Sequence, residues 1–253
     1  MIRAIVAFFA LLVLTPILGA IVVAASVLRI PHGEDSIYQK CSRFWAGTLN
    51  RIAGVRIVVH DEQRIVHGAP RVYISNHVSW FDVFVLGEIL PNYTFIAKRE
   101  LSRIPIFGWA AKGWGVIWID RGNRKSAFDS YKDAASAVHG GQSVVICAEG
   151  TRGASYELRP FKKGPFVFAI SAHVPIVPVL VYGAREVQPK GSFRLRPGTV
   201  HVHPLEEVPT DGYTHEQRDE LVRVVWMRMA DEMERLYGVR SAGRAIEREA
   251  GAA

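Results

Sequence analysis

A histidine and an aspartate five residues apart, His77 and Asp82, are the first group in this sequence that could do chemistry. They lie in the segment N-H-V-S-W-F-D, which follows a short apolar run and opens a helical pattern. A neutral imidazole accepts a proton, and a carboxylate can hold its tautomer and stabilise the imidazolium. The alternative is structural, because Ser79 and Asp82 could equally cap the helix that begins there.

A second polar loop follows another apolar run and reads E-G-T-R, from Glu149 to Arg152. Glycine permits close backbone approach, and the guanidinium of Arg152 is a forked ligand suited to phosphate. A structural ion pair between Glu149 and Arg152 is an equal interpretation. The segment F-K-K-G follows from Phe161 to Gly164, so more positive charge leads into the next helical pattern.

These loops must be positioned by strands and helices, and the apolar patterns alternate between the two from residue 56 onward. Several predicted strands are continuous apolar runs, as expected for strands buried on both faces, and open α/β sheets bind ligands where strands end. The strands are predicted at 56–59, 72–75, 94–97, 116–120, 143–148, 176–182 and 199–202. The helices are predicted at 36–53, 79–90, 126–139, 164–172 and 214–237, the third with a capping pair at Ser126 and Asp129 and the last with one at Thr214 and Gln217. This interleaving predicts a layered α/β fold.

The N-terminus is a different kind of segment, because residues 4–28 carry no charged side chain. As one helix the segment would reach about 37 Å, enough to span a ~30 Å hydrocarbon core. Pro16 and Gly19 interrupt it midway, so a helical hairpin that dips into one leaflet is a second interpretation, and a cleaved signal peptide is a third. If the segment spans, basic residues that follow it, such as Arg29 and Lys40, put the main domain in the cytoplasm.

Composition agrees with this division of the chain. Of the 253 residues, 49% are hydrophobic and 22% charged, which excludes a disordered protein, and two cysteines cannot form a disulfide framework. The net charge of +7 arises in residues 92–132 and 152–196, whereas residues 206–235 are acidic. Positive charge within the domain favours an anion site over a loose nucleic-acid arm. The predicted organisation is a membrane anchor at 1–30, an amphipathic connecting helix at 31–55, an α/β domain at 56–238 and a flexible tail at 239–253.

Four segments, in this order, resemble the blocks of the 1-acylglycerol-3-phosphate O-acyltransferase family, whose first block carries a histidine and an aspartate five residues apart. N-H-x-S-x-x-D matches at 76–82, K-x-E-L-x-x-I-P-x-x-G at 98–108, E-G-T-R at 149–152 and V-P-I-V-P-V at 174–179. The resemblance covers roughly residues 70–182, together with the N-terminal anchor. In one departure, Cys147 and Ala148 stand where the family usually has an aromatic or aliphatic residue and then proline.

The resemblance implies a membrane-bound enzyme with a glycerol-3-phosphate acyltransferase-like fold, a mixed and largely buried sheet flanked by helices. The enzyme would move a fatty acyl group from acyl-CoA or acyl carrier protein to the free hydroxyl of lysophosphatidate, with no cofactor or metal. His77 would be the general base, oriented by Asp82, and no acyl-enzyme is needed because the thioester is already activated. Backbone N–H groups around the His77 turn or near Lys98 would hold the oxyanion. The remaining candidates bind substrate: Arg152 and Lys98 for the phosphate, and Asn76, Ser79, Glu149, Gly150 and Thr151 around it.

Other functions stay open at this point. The same blocks would serve another acceptor, such as a lyso-ornithine lipid or another lysophospholipid, and a non-catalytic lipid-binding protein could keep the fold. His201 and His203 alternate on one strand face and could share a metal ion, but no third ligand follows at a convincing spacing, so no metal is predicted. Nucleic-acid binding lacks a recognised motif. The expected location is the cytoplasmic membrane, with the catalytic domain facing the cytoplasm.

Overall fold

The computed structural model describes residues 1–120, 131, 138 and 141–243. The helices of this part are α1 Ile2–Val27, α2 Ile37–Ala53, α3 Phe81–Ile89, α4 Phe107–Gly113, α5 Gly164–Ala172, α6 Ala184–Val187 and α7 Arg218–Tyr237. The strands are β1 Val55–Val59, β2 Val72–Ser75, β3 Tyr93–Lys98, β4 Ile117–Ile119, β5 Ser143–Cys147, β6 Ile176–Tyr182 and β7 Gly198–Pro204. The helix predicted at 126–139, with its capping pair Ser126 and Asp129, lies outside the described residues except at positions 131 and 138.

All seven strands form one sheet in the order β1-β7-β6-β2-β5-β3-β4. Neighbouring strands are parallel except β6 and β7, which are antiparallel. The carboxyl ends of β6, β2, β5, β3 and β4 therefore meet at one edge, which we call the carboxyl edge. The prediction of a mixed α/β fold is confirmed, and the two loops singled out in the sequence both leave the sheet at this edge.

The sheet is buried on both faces, which explains its continuous apolar strands. In β2, Val72 and Ile74 face a core layer that includes Phe166 of α5 and residues of α7. Tyr73 between them faces the opposite layer, which includes Leu86 of α3 and residues of α2. Because alternate side chains enter two different cores, neither face tolerates a regular polar pattern.

Helix α1 is continuous through Pro16, so of the two helical geometries that the sequence left open the structure has the single helix and not two half-length helices. Helix α1 packs against α2 and α4. Close contact requires a small residue here, since a Cβ on Gly19 would lie 3.2 Å from a side-chain carbon of Ile106 and 3.3 Å from Ala110. The opposite face leaves large apolar side chains such as Phe9 exposed. By length and composition, α1 could cross a membrane.

The last helix starts later than its capping pattern predicts. Thr214 does not cap α7, which begins at Arg218; the Thr214 N–H instead donates to Gln217 Oε1 at 3.0 Å in the turn before the helix. Beyond α7, the first residues of the predicted flexible tail are packed. Ser241 is buried and its hydroxyl oxygen accepts a hydrogen bond from the Leu158 N–H at 2.9 Å.

Candidate active site

His77 and Asp82 meet in the turn at residues 76–80 that joins β2 to α3, here called the His77 turn. His77 Nδ1 lies 2.9 Å from Asp82 Oδ2. The same carboxylate oxygen accepts the N–H groups of Val78 at 2.7 Å and Ser79 at 2.8 Å. Asp82 is fully buried, so three donors compensate the cost of burying its charge. Asp82 therefore closes the start of the helix and holds the imidazole at the same time, which joins the two interpretations that the sequence left open.

The surroundings of His77 favour its protonated form. Burial of the ring lowers the pKa of His77, but the neighbouring Cys147 sulfur and the Asp82 carboxylate outweigh burial and raise it above its usual range. The ring is mostly buried, with 14% of the side chain exposed. The ring must release a proton before it can act as a base. The ability of His77 to accept a proton at the carboxyl edge therefore depends on pH.

The E-G-T-R loop is fastened to the His77 turn from both sides. Glu149 Oε1 accepts the His77 N–H at 3.0 Å, and the Gly153 N–H donates to the His77 carbonyl at 2.7 Å. Gly150 has a φ of +80°, a conformation that favours glycine and that turns the chain directly after β5. These contacts fix the position of His77 relative to the loop that carries Arg152.

Glu149 forms an ion pair with Arg159 and not with Arg152. The Glu149–Arg152 pair considered from the sequence is therefore wrong. Arg159 Nε donates to Glu149 Oε2 at 2.7 Å, and the same guanidinium donates to the Thr151 hydroxyl at 3.0 Å and to the Thr151 carbonyl. Burial raises the pKa of Glu149, while the Arg159 contact and the His77 N–H oppose that rise. Arg159 was missed because it lies in an irregular segment without motif or periodicity.

Arg152 lies against the His77 turn. Its guanidinium carbon is 4.8 Å from the ring centroid of Trp80, a cation–π contact. None of the salt bridges among the described residues involves Arg152. The positive charge is therefore held next to His77 by an aromatic ring and has no carboxylate partner in the described part of the chain.

Lys98 reaches the same edge from β3. The strand order β2-β5-β3 puts it two strands from His77, roughly 10 Å across the sheet at the usual strand spacing. Lys98 Nζ pairs with Glu100 at 2.9 Å, and both side chains are about half exposed. A charge paired in this way is less available to an anion than that of Arg152.

Asn76 and Ser79 bind backbone groups. The Asn76 side chain donates to the Val181 carbonyl at 2.9 Å and accepts the Val181 N–H at 2.8 Å, which ties the end of β2 to β6. The Ser79 hydroxyl donates to the Gln188 carbonyl at 2.9 Å. Both side chains are fully buried. Their contacts hold the turn in place, and their role in binding substrate stays a prediction.

Three backbone amides of the His77 turn are already engaged. The N–H groups of His77, Val78 and Ser79 each donate to a carboxylate oxygen of Glu149 or Asp82. In this arrangement these three amides are not available to an oxyanion. Of the two places expected from the sequence, the region of Lys98 is the one that these contacts leave open.

A second histidine cluster lies on the β7 side of the sheet and is not part of this site. His60 Nε2 is 3.0 Å from His201 Nδ1, the rings of His60 and His203 stack at 4.1 Å, and His203 Nε2 is 2.6 Å from the Tyr237 hydroxyl. His60 is the neighbour that sequence spacing did not reveal. Among the described residues, no group of three His, Cys, Asp or Glu side chains is arranged to hold a metal ion.

Comparison with known proteins agrees with this geometry. The family model described as Acyltransferase matches residues 56–182, which contain both loops of the site. The chain is 30% identical over 219 residues to a 1-acyl-sn-glycerol-3-phosphate acyltransferase of Limnanthes douglasii, a match that covers 86% of this chain and 77% of that protein. It is 34% identical over 195 residues to the human 1-acyl-sn-glycerol-3-phosphate acyltransferase beta, covering 76% and 70%.

Two further likenesses differ in extent. A chloroplastic 1-acyl-sn-glycerol-3-phosphate acyltransferase of Brassica napus is 39% identical over 123 residues, which is 49% of this chain and 36% of that protein. The crystal structure of the 1-acyl-sn-glycerophosphate acyltransferase PlsC from Thermotoga maritima superposes with a TM-score of 0.77 at 23% identity, covering 95% of this chain and 97% of that one. At this identity the structural likeness shows the fold, and it extends over nearly the whole chain.

Proposed function

Because this chain belongs to the acyltransferase family, we propose that it moves a fatty acyl group from an acyl thioester to the free hydroxyl of 1-acylglycerol 3-phosphate, which gives phosphatidic acid. The observation that carries the proposal is the His77–Asp82 pair, held at the carboxyl edge by the loop that presents Arg152. The names of the matched relatives support this acceptor. A base beside a cation that has no carboxylate partner among the described residues suits a substrate with a hydroxyl and a phosphate.

His77 is the general base of the proposed reaction. Asp82 holds Nδ1, so Nε2 takes the proton from the glycerol hydroxyl. The hydroxyl oxygen then attacks the acyl carbonyl, a carbon–oxygen bond forms, and the carbon–sulfur bond of the thioester breaks. The proton held by His77 neutralises the departing thiolate. Asp82 stabilises the imidazolium between these two proton transfers.

Arg152 binds the substrate phosphate in this proposal. Its guanidinium offers several donors in a planar fork, which matches phosphate oxygens. Lys98 contributes a second positive charge from the neighbouring part of the edge. Glu149, Gly150 and Thr151 shape the loop, since Glu149 and Thr151 are both bound to Arg159.

The acceptor and product are lipids, so we propose that the site opens at a bilayer surface. The apolar exposed face of α1 supports this location, as does Trp109, which is 70% exposed on α4 where that helix packs against α1. Indole rings favour the headgroup level of membranes. The basic residues after α1, among them Arg29 and Lys40, favour a catalytic domain on the cytoplasmic side, where acyl-CoA or acyl carrier protein would deliver the acyl group.

The base assignment is tested with His77→Ala, assayed in purified membranes with lysophosphatidate and palmitoyl-CoA. Loss of the base should lower kcat by on the order of 10³-fold or more. His67→Ala is the matched control, because His67 is exposed and pairs with Glu34 near the amino end of β2, away from the carboxyl edge. Acyl transfer retained by the His77 variant would end the assignment.

The acceptor is tested with Arg152→Ala, assayed with lysophosphatidate, monoacylglycerol and a headgroup-bearing lysolipid. The variant should raise KM for lysophosphatidate by about 10- to 100-fold, because charge-assisted hydrogen bonds to the phosphate are lost, and should leave KM for monoacylglycerol unchanged. Arg71→Ala serves as a control, since Arg71 is paired with Glu207 at the amino end of β2. An unchanged KM for lysophosphatidate would remove Arg152 from the site, and a preference of the unaltered enzyme for another lysolipid would change the proposed acceptor.

A further inference from the structure

The loop between α6 and β7, residues 188–197, carries positive charge that the proposed reaction does not use. It contains three basic residues and no acidic one, and the nearest carboxylates along the chain are those of Glu186 and Glu206. The basic residues of the loop are all exposed: Lys190, Arg194 and Arg196. In the described part of the chain, no salt bridge involves any of the three. The loop therefore offers its charge to a partner outside those residues.

An aromatic side chain lies among these charges. Phe193 is 90% exposed, more than any other large apolar residue in the described ranges. A single exposed apolar residue is common on protein surfaces and needs no partner by itself. Here, however, the ring lies between basic residues on a loop whose backbone is held by hydrogen bonds, so its exposure is a property of the folded loop.

The tip of the loop is a tight turn. The Ser192 N–H donates to the Pro189 carbonyl at 3.0 Å, and Gly191 has a φ of +81°, as the third residue of a type II turn requires. The Gln188 side chain donates to the Ser192 carbonyl at 3.1 Å and closes the turn from the other side. These bonds hold Phe193, the next residue, away from the body of the protein.

The loop connects the His77 turn with the first turn of α1. At its start, the Gln188 carbonyl accepts the Ser79 hydroxyl at 2.9 Å. At its end, Pro197 and Arg3 of α1 both lie against Gly54, where an added Cβ would be 2.9 Å from Pro197 and 2.5 Å from Arg3. The exposed apolar face of α1 begins at this point of the molecule, so loop and helix form one continuous surface beside the proposed base.

The loop and α1 also lie on the same side of the sheet. Leu195 is buried in the core layer that includes Ala7 of α1 and Val187 of α6, and the Arg196 N–H donates to the Val187 carbonyl at 3.0 Å. The acidic stretch 206–235 packs into the opposite layer, through Val208 and α7. Positive charge and exposed apolar side chains are therefore combined on one side, and most of the negative charge lies on the other.

We propose that the 188–197 loop docks on an anionic lipid bilayer, with Phe193 in the boundary between headgroups and acyl chains and the three basic side chains on lipid phosphates. A bilayer supplies both partners at once, since the phosphates attract the cations and the hydrocarbon edge takes up the ring. The loop would be a second membrane contact beside α1 that turns the carboxyl edge toward the lipid surface. This inference rests on the proposed action on a lipid acceptor, which would reach His77 along this surface.

The experiment places a fluorescent probe in the loop of the full chain, reconstituted into bilayers of phosphatidylcholine alone or mixed equally with phosphatidylglycerol. Phe193→Cys, combined with Cys41→Ala and Cys147→Ala, is labelled with an environment-sensitive nitrobenzoxadiazole group. Glu220→Cys in the same background is the matched control, because Glu220 is exposed on α7 in the opposite layer. In the mixed bilayer the probe at 193 should emit at shorter wavelength than the probe at 220. It should also be quenched by lipids with a nitroxide on the acyl chain and be shielded from iodide.

The contribution of charge is tested by adding Lys190→Gln, Arg194→Gln and Arg196→Gln to the labelled chain. Each basic residue near an anionic surface contributes roughly fivefold in affinity. The unaltered loop should therefore be quenched more strongly in the mixed bilayer than in phosphatidylcholine, and the triple variant should lose this difference. The same three-charge loss on α7, made with Arg218→Gln, Arg223→Gln and Arg235→Gln, should leave the difference in place.

Two results would overturn the proposal: a probe at 193 that iodide reaches and nitroxide lipids do not, or quenching that is equal in both bilayers and in the triple variant. Shielding of the probe only by added acyl carrier protein would assign the loop to the acyl donor and also overturn docking on lipid. Acyl transfer measured in the same bilayers separates the two proposals. Transfer to lysophosphatidate with the loop in water overturns the docking alone, whereas a quenched probe in a protein that acylates another lysolipid overturns only the acceptor.

Discussion

His77 and His203 are both largely buried histidines on the same sheet, but their neighbours drive them in opposite directions. His77 lies against the Asp82 carboxylate and the Cys147 sulfur, which raise its pKa despite burial. His203 lies against two other imidazoles, those of His60 and His201, and burial together with their positive charge lowers its pKa to about 4. The difference shows that burial alone does not make a histidine a base or keep it neutral; the charges that are buried with it do.

Asp82→Asn tests this comparison most directly, because it removes the negative charge beside His77 and can keep the hydrogen bonds of Asp82. All three hydrogen bonds of Asp82 go to Oδ2, so the amide oxygen of asparagine can accept the same three donors. The uncharged group no longer stabilises the imidazolium, and kcat should fall by on the order of 10²-fold. Steady-state acyl transfer with saturating substrates measures this loss.

The pH profile of Asp82→Asn shows in which direction the Asp82 charge shifts the pKa of His77. Neutral His77 is the active form of the base, so kcat/KM of the unaltered enzyme should rise with pH as the ring loses its proton, and the raised pKa of His77 puts this rise above the usual range of histidine. Without the Asp82 charge the pKa of His77 is lower, and the rise should move to lower pH. A profile that stays in place in Asp82→Asn, in protein with an unchanged circular dichroism spectrum, would contradict the role given to Asp82.

The parts of the molecule that could be predicted from the sequence are those determined by a local pattern of residues. β2 and β6 were predicted with their observed ends, because their continuous apolar runs reflect two buried faces. The His77–Asp82 contact was predictable because both residues lie within one turn, where spacing determines distance. Helix α7 was predicted to start too early, since the contact between Thr214 and Gln217 forms in the turn before the helix.

Contacts between distant segments could not be predicted in this way. Arg159 binds Glu149 and Thr151 from an irregular segment, and no pattern marks it. His60 joins His201, 141 residues later in the sequence, only because β1 pairs with β7. The influence of Cys147 on the pKa of His77 likewise depends on the pairing of β5 with β2, which sets Cys147 opposite Ser75. The sequence therefore indicated the local chemistry of the site, while strand pairing determined its partners.

His203→Gln sharpens the comparison from the other cluster and should have the smallest effect. The pKa of His203 is about 4 in the folded protein and 6.5 as an ordinary histidine, so its contribution to folding is complete above pH 6.5 and is lost as the pH falls toward 4. Glutamine does not titrate there and can still contact the Tyr237 hydroxyl, so Tm should fall less between pH 6.5 and 4 in the variant than in the unaltered protein.

His60 and His201 face the position from β1 and β7, and Asp61 and Glu232 lie close enough to oppose part of the shift, which keeps the difference small. Thermal melts across this range measure it, with acyl transfer at neutral pH expected within about twofold of the unaltered enzyme, because the cluster lies away from the carboxyl edge. Equal acid sensitivity of Tm in both proteins would show that the charges around His203 do not hold it neutral, and the contrast with His77 would then reduce to the presence of Asp82 and Cys147 alone.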